Sequence, residues 1–177
     1  LAMAVGTPGT AWGLRSDLSG ALVMALVTFV GAVIVRYSAV GMAGEHAGPG
    51  AVRWLMGTLA AVGVVLVANH LALLVVAWLV ASLCLQRLLT FFDQRPAAQL
   101  AAHKKFIVSR AADLCMAAAA LLLALTLETW QIDRLLERAA ALPTLPAAVH
   151  AAMLLVALAA LLKCAQLPFH GWLIQVM

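Results

Sequence analysis

Charge is what this sequence has least of. Asp, Glu, Lys and Arg make up 10% of its 177 residues, where a soluble domain carries roughly a quarter. An aqueous surface cannot be covered from that supply. With 66% of residues hydrophobic and a mean hydropathy of +1.06, the chain reads as an integral membrane protein.

Other absences narrow the chemistry. There is no CxxC, and the three cysteines, Cys84, Cys115 and Cys164, lie in oily runs as small hydrophobes do. The five histidines show no ligand spacing with them, so no metal and no cofactor are expected in this chain. There is no GxSxG, no P-loop and no paired-carboxylate cleft, so no catalytic site of its own is expected. The net charge of +4 would suggest nucleic acid in a soluble protein, but no basic patch carries interleaved aromatics. The expected partner surface is the lipid bilayer, with no nucleic acid. Neither an initiator Met nor a signal-peptide pattern opens the sequence, and Met177 falls inside a helical pattern. The expectation is one membrane domain belonging to a longer core.

What is present is a series of oily runs. A bilayer core needs about 20 apolar residues as helix. "DLSGALVMALVTFVGAVIVRYS" supplies the first, about 17–37, with Asp17 or Ser16 as cap. From Trp54 to Gln86 there are 33 residues without Asp, Glu, Lys or Arg. One helix of that length would be about 50 Å long against a core of about 30 Å. Asn69-His70 is the natural turn, which gives two helices, about 51–68 and 71–92. "DQRPAAQLAAHKK" is the next break, and a fourth span covers about 105–127. "ETWQIDRLLERAAALPTLP" is amphipathic, with Trp130, Leu135 and Leu136 suited to a short interfacial helix. Pro146 fits the first turn of a fifth long helix, about 147–177. The fold class is all-α: a polytopic bundle whose last helix is broken by Pro168. Basic residues favour the face holding Arg36, Arg53, Arg95, Lys104 and Lys105 over that holding Arg15, Arg134 and Arg138, so the first is expected to be cytoplasmic.

Charges at membrane depth cost about 2.5–3.5 kcal/mol each on the lenient insertion scale, so those that persist are paired, hydrated or functional. Arg87 either snorkels to the nearby surface or pairs inside the bundle. Arg110 and Asp113 are three apart and share a helix face, which suits either a structural ion pair or a working one. Lys163 closes a run without charge that reaches back to Ala139. Pro168 follows five residues later and breaks the helix, which at depth is tolerated only inside protein or beside a water-filled cavity. Lys163 is therefore the foremost candidate for proton handling. His170 is either a second relay group or a satisfied core histidine.

These residues carry a resemblance. "KCAQLPFHGWLIQVM" closely resembles the "K-S-A-Q-x-P-x-H-x-W-L-x-x-A-M" signature of the antiporter-like membrane subunits. That family includes chain 5 of respiratory NADH–quinone oxidoreductase and the large subunits of Mrp-type sodium/proton antiporters. "KKFIVSRAAD" is similar to the family's "K-A-F-x-x-N-R-x-G-D", and "LVTFVGAVIVRYS" to its third transmembrane helix. In the family the broken-helix lysine relays protons with a helix-six aspartate and a helix-five glutamate nearby, and by position the resemblance carries these roles to Lys163 and Asp113. The family's glutamate does not carry over, because its "W-E" pair reads Trp78-Leu79 here. "QRLLTFFDQRPAAQLAAHKKFIVSRAADL" is similar to the membrane subunit of Dab-type inorganic-carbon transporters, in which an antiporter-like subunit pairs with a large zinc protein related to β-carbonic anhydrases. That implies a bacterial inner-membrane subunit whose proton or cation flow drives one-way CO2 hydration and bicarbonate accumulation, with zinc in the partner.

Overall fold

A computed structural model of the chain describes residues 2–5, 12–15, 17–41, 48–90 and 96–164. Among these, a short antiparallel hairpin, β1 (Ala2–Val5) and β2 (Trp12–Arg15), precedes six helices. They are α1 (Leu18–Gly41), α2 (Gly48–Val67), α3 (Leu71–Leu89), α4 (Pro96–Thr126), α5 (Ile132–Ala141) and α6 (Ala147–Lys163). Four of these contain stretches long and apolar enough to cross a membrane, and α6 is a shorter apolar helix. The chain is an all-α, multi-pass membrane protein. The hairpin has no counterpart in the hydropathy pattern, because its strands are too short to show a period of two.

Local chemistry sets where the helices begin and end. Asp17 caps α1 by accepting the Gly20 N–H at 2.8 Å, which holds its carboxyl below the ordinary range. The charge-free run breaks at residues 68–70, where the sequence places Asn69-His70. α3 stops at Leu89, short of residue 92. α4 starts at Pro96, nine residues before the position the oily pattern suggests. Proline is well placed in a first helical turn, where its missing N–H would have no partner anyway. His103, Lys104 and Lys105 read as a loop in sequence but ride on this helical extension. At its far end α4 closes with Glu128 in the left-handed region (φ 48°), and Arg138 of α5 donates to the Leu127 and Glu128 carbonyls.

One end of the bundle is tied by polar contacts. The Asn69 N–H donates to the Gly13 carbonyl at 2.8 Å, and its carbonyl accepts from Ile132 N at 3.0 Å. Its side chain donates to Asp133 Oδ2 at 2.7 Å and accepts from Asp133 N at 3.2 Å, while Arg15 pairs with Asp133 Oδ1 at 2.8 Å. His70 stacks on Trp130 at 6.0 Å. Beneath this layer lies a core of Leu71, Ala120, Ala124, Leu127, Leu135 and Val149. The amphipathic α5 buries Leu135 there and leaves Leu136 exposed. Asn69 is 7% exposed, and truncating it removes both of its side-chain hydrogen bonds to the part-buried Asp133. An Asn69→Ala variant should lose about 1–3 kcal/mol, seen as a lower unfolding midpoint in detergent. An unchanged midpoint would mean that this layer does not hold the helix ends together.

α4 and α6 pack through small residues. Ala112, Ala119 and Ala120 of α4 and Ala152 and Ala159 of α6 are all buried. Small side chains let membrane helices approach closely, since lipid tails offer no hydrophobic push between them. Ala152, Ala159 and Lys163 continue along α6, so this packing carries the lysine toward the middle of α4.

Candidate ion-transfer site

The site grows from two helix stripes with a spacing of four. On α3, Trp78, Ser82 and Gln86 follow one another at i, i+4 and i+8; on α4, Lys105, Ser109 and Asp113 do the same. Residues four apart share a helix face. The stripes meet: the Ser82 and Ser109 hydroxyls hydrogen-bond each other, Lys105 Nζ donates to the Ser82 carbonyl at 3.2 Å, and Gln86 Nε2 donates to the Ala102 carbonyl at 3.0 Å.

Lys163 enters from the last turn of α6, where a cation also suits the negative end of the helix dipole. Its Nζ lies 2.9 Å from Asp113 Oδ1, donates to Ser109 Oγ at 3.1 Å and sits 5.3 Å from the centre of the Trp78 ring. Arg110 takes the other carboxylate oxygen, Oδ2, at 2.7 Å, and also donates to Ser82 Oγ at 3.0 Å. Asp113 is 7% exposed and is bracketed by two cations. It stands near the midpoint of the apolar part of α4, Ala102–Thr126, some 17 Å along the helix from Ala102 at about 1.5 Å per residue. The sequence places it about one turn beyond Arg110 near an early helix end; the longer α4 puts it near the middle of the helix's apolar stretch.

Lys163, Asp113 and Arg110 thus form one cluster. Arg87 stands apart, exposed in the last turn of α3. Pro168 and His170 lie outside the described residues. Trp78, Ser82, Ser109 and Lys105 belong to the cluster, although sequence reading passed over them as site residues. Their signal was the spacing of four among polar residues in otherwise apolar helices. Leu79 follows Trp78 on α3, and Asp113 is the carboxylate that meets Lys163 among the described residues. No group of three or more His, Cys, Asp or Glu side chains among the described residues could hold a metal ion.

A cluster of this kind can do specific chemistry. A carboxylate shared between an arginine, which stays charged, and a lysine, which can lose its proton, holds an ion pair that a proton can dissolve and re-form. The serine hydroxyls offer donors and acceptors along the same face.

Residues 68–177 match the NADH:quinone oxidoreductase/Mrp antiporter transmembrane family, and the chain belongs to that family. It is 47% identical over 88% of its length to a probable inorganic carbon transporter subunit DabB of Hydrogenovibrio crunogenus. It is 40% identical over 86% of its length to DabB2 of Halothiobacillus neapolitanus, also a probable inorganic carbon transporter subunit. At 28% identity over 96% of its length it is similar to Na(+)/H(+) antiporter subunit A1 of Staphylococcus aureus. The chain spans 30%, 28% and 21% of these relatives, respectively.

Proposed function

We propose that this chain is the ion-translocating part of a membrane subunit that energises inorganic-carbon accumulation. Proton or cation flow passes the Lys163–Asp113 pair, and the carbon chemistry is done by a large, zinc-containing, carbonic-anhydrase-like partner at a bacterial inner membrane. The observation that carries the ion-transfer half is the contact of Lys163 with Asp113 at 2.9 Å, buried at mid-depth of α4. An ionisable pair there is costly and is retained where it does work. The substrate half is supported by two relatives, both described as probable inorganic carbon transporter subunits.

Mass spectrometry and zinc analysis of the native complex, taken from membranes in mild detergent, test the partner. One large soluble zinc-bearing protein is the expected companion. Flavin and iron–sulfur subunits, or a set of small antiporter subunits, would contradict the proposal. The similarity to the Staphylococcus aureus antiporter subunit favours a second reading, a sodium/proton antiporter subunit. Sodium-dependent proton exchange in vesicles would favour it, and sodium-independent activity would oppose it.

A further inference from the structure

Among the described residues, positive charges outnumber negative ones around the Ser82–Ser109 pair. Lys105, Arg110 and Lys163 converge there, while Asp113 is the carboxylate among the described residues that meets them. Both of its oxygens are already engaged. The other described carboxylates, Asp17, Glu128, Asp133 and Glu137, belong to the opposite end of the bundle, near the Asn69 layer.

Lys105 is 6% exposed, and among the described residues its ammonium makes one hydrogen bond, to the Ser82 carbonyl. An ammonium carries three N–H donors, so donors remain. Among the described residues, Trp78 Nε1 and Arg110 Nε are buried without a hydrogen-bond partner, and so is the acceptor Gln86 Oε1 on the α3 stripe. The indole and the guanidinium are donor-only groups. In the Ser82–Ser109 bond one hydroxyl donates, which leaves the other hydroxyl's proton unspent.

These groups border a cavity of about 300 Å³ between α2, α3, α4 and α6. Thr58, Trp78, Ser82, Lys105, Ser109 and Lys163 supply its polar and aromatic wall, and the remainder is aliphatic. Among the described residues, no carboxylate lines it. Water can take up surplus donors, while a buried ammonium is relieved either by losing its proton or by gaining a counter-charge.

We propose that this cavity binds a small monovalent anion, of halide or bicarbonate size, between Lys105 and Lys163. The anion accepts hydrogen bonds from the two ammonium groups, the free serine hydroxyl and the Trp78 indole. It supplies the negative charge that Asp113 alone cannot. This site stands independently of whether the chain conducts ions.

The native complex in detergent serves for the test, with sodium bromide, sodium bicarbonate and sodium gluconate compared at constant ionic strength. Bromide and bicarbonate should raise the unfolding midpoint by a few degrees in a saturating way, as ligand binding to the folded state requires, while gluconate should not. The arms also separate the sources: saturation by bicarbonate alone marks a selective carbon site, and saturation by both marks a general anion site. Lys105→Gln should abolish the saturation, whereas Arg36→Gln, at an exposed position on α1, should keep it. Bromide quenching of tryptophan emission provides a readout that does not need the Lys105 variant to fold. A saturable component should be present in native protein and missing in Trp78→Phe. Non-saturating responses to all three salts, or saturation undiminished in Lys105→Gln, would overturn the proposal.

Discussion

A Lys163→Met variant should assemble normally and yet accumulate no inorganic carbon. The structure separates these two outcomes. Arg110 keeps its 2.7 Å contact with Asp113 when the ammonium is gone, so the carboxylate is not left unpaired. Methionine is unbranched and adaptable, and it fills the lysine's course past Trp78 without a charge. Stability should therefore change by no more than about 1 kcal/mol, the range of a volume-conserving replacement. What disappears is the lysine that meets Asp113, the group proposed to pass protons on. Uptake of labelled bicarbonate by cells carrying the variant should fall to the level of cells lacking the complex. Undiminished uptake would reduce Lys163 to a packing residue.

Asp113→Leu should behave in the opposite way, damaging the fold as well as the activity. Removing the carboxylate strands Arg110 and Lys163 in a setting where Asp113 is their shared partner. Breaking a buried ion pair by deleting one partner costs about 3–5 kcal/mol, because the remaining charge stays uncompensated. The yield of assembled complex and its unfolding midpoint should both drop. Removing the whole group together, as Arg110→Met, Asp113→Leu and Lys163→Met, should recover much of that stability, since apolar replacement of a buried ion cluster is often neutral or favourable. Transport should not return. If Asp113→Leu kept native stability, the cluster would be hydrated well enough not to need its carboxylate.

The layout of the helices was legible in sequence wherever a single physical signal dominated. The run from Trp54 to Gln86 is too long for one span, and it breaks where Asn69-His70 can satisfy backbone groups with side-chain partners. The short amphipathic segment after Trp130 forms α5 because one of its faces is apolar. The oily pattern marks the apolar part of α4, Ala102–Thr126, and misses the polar first turns from Pro96. His103, Lys104 and Lys105 are polar, and polarity alone does not distinguish a loop from a helix turn that reaches the membrane surface. Pro96 carried the missing information. In the site, charge marked Lys163, Arg110 and Asp113 directly. Ser82 and Ser109 were silent because a lone hydroxyl in an apolar helix looks unremarkable until its partner on a neighbouring helix is known. Lys105 was assigned to the surface for the same reason, and only the packing of α3 against α4 shows it buried at 6% exposure.

Proton flux into proteoliposomes decides whether ions pass the Lys163–Asp113 pair. The native complex and the Lys163→Met complex would be reconstituted at equal protein density, a membrane potential imposed, and internal pH followed with and without sodium. Native complex should carry protons inward, with the variant indistinguishable from empty vesicles. Equal flux through both would place the ion path elsewhere in the assembly and leave the Lys163–Asp113 contact as a structural ion pair.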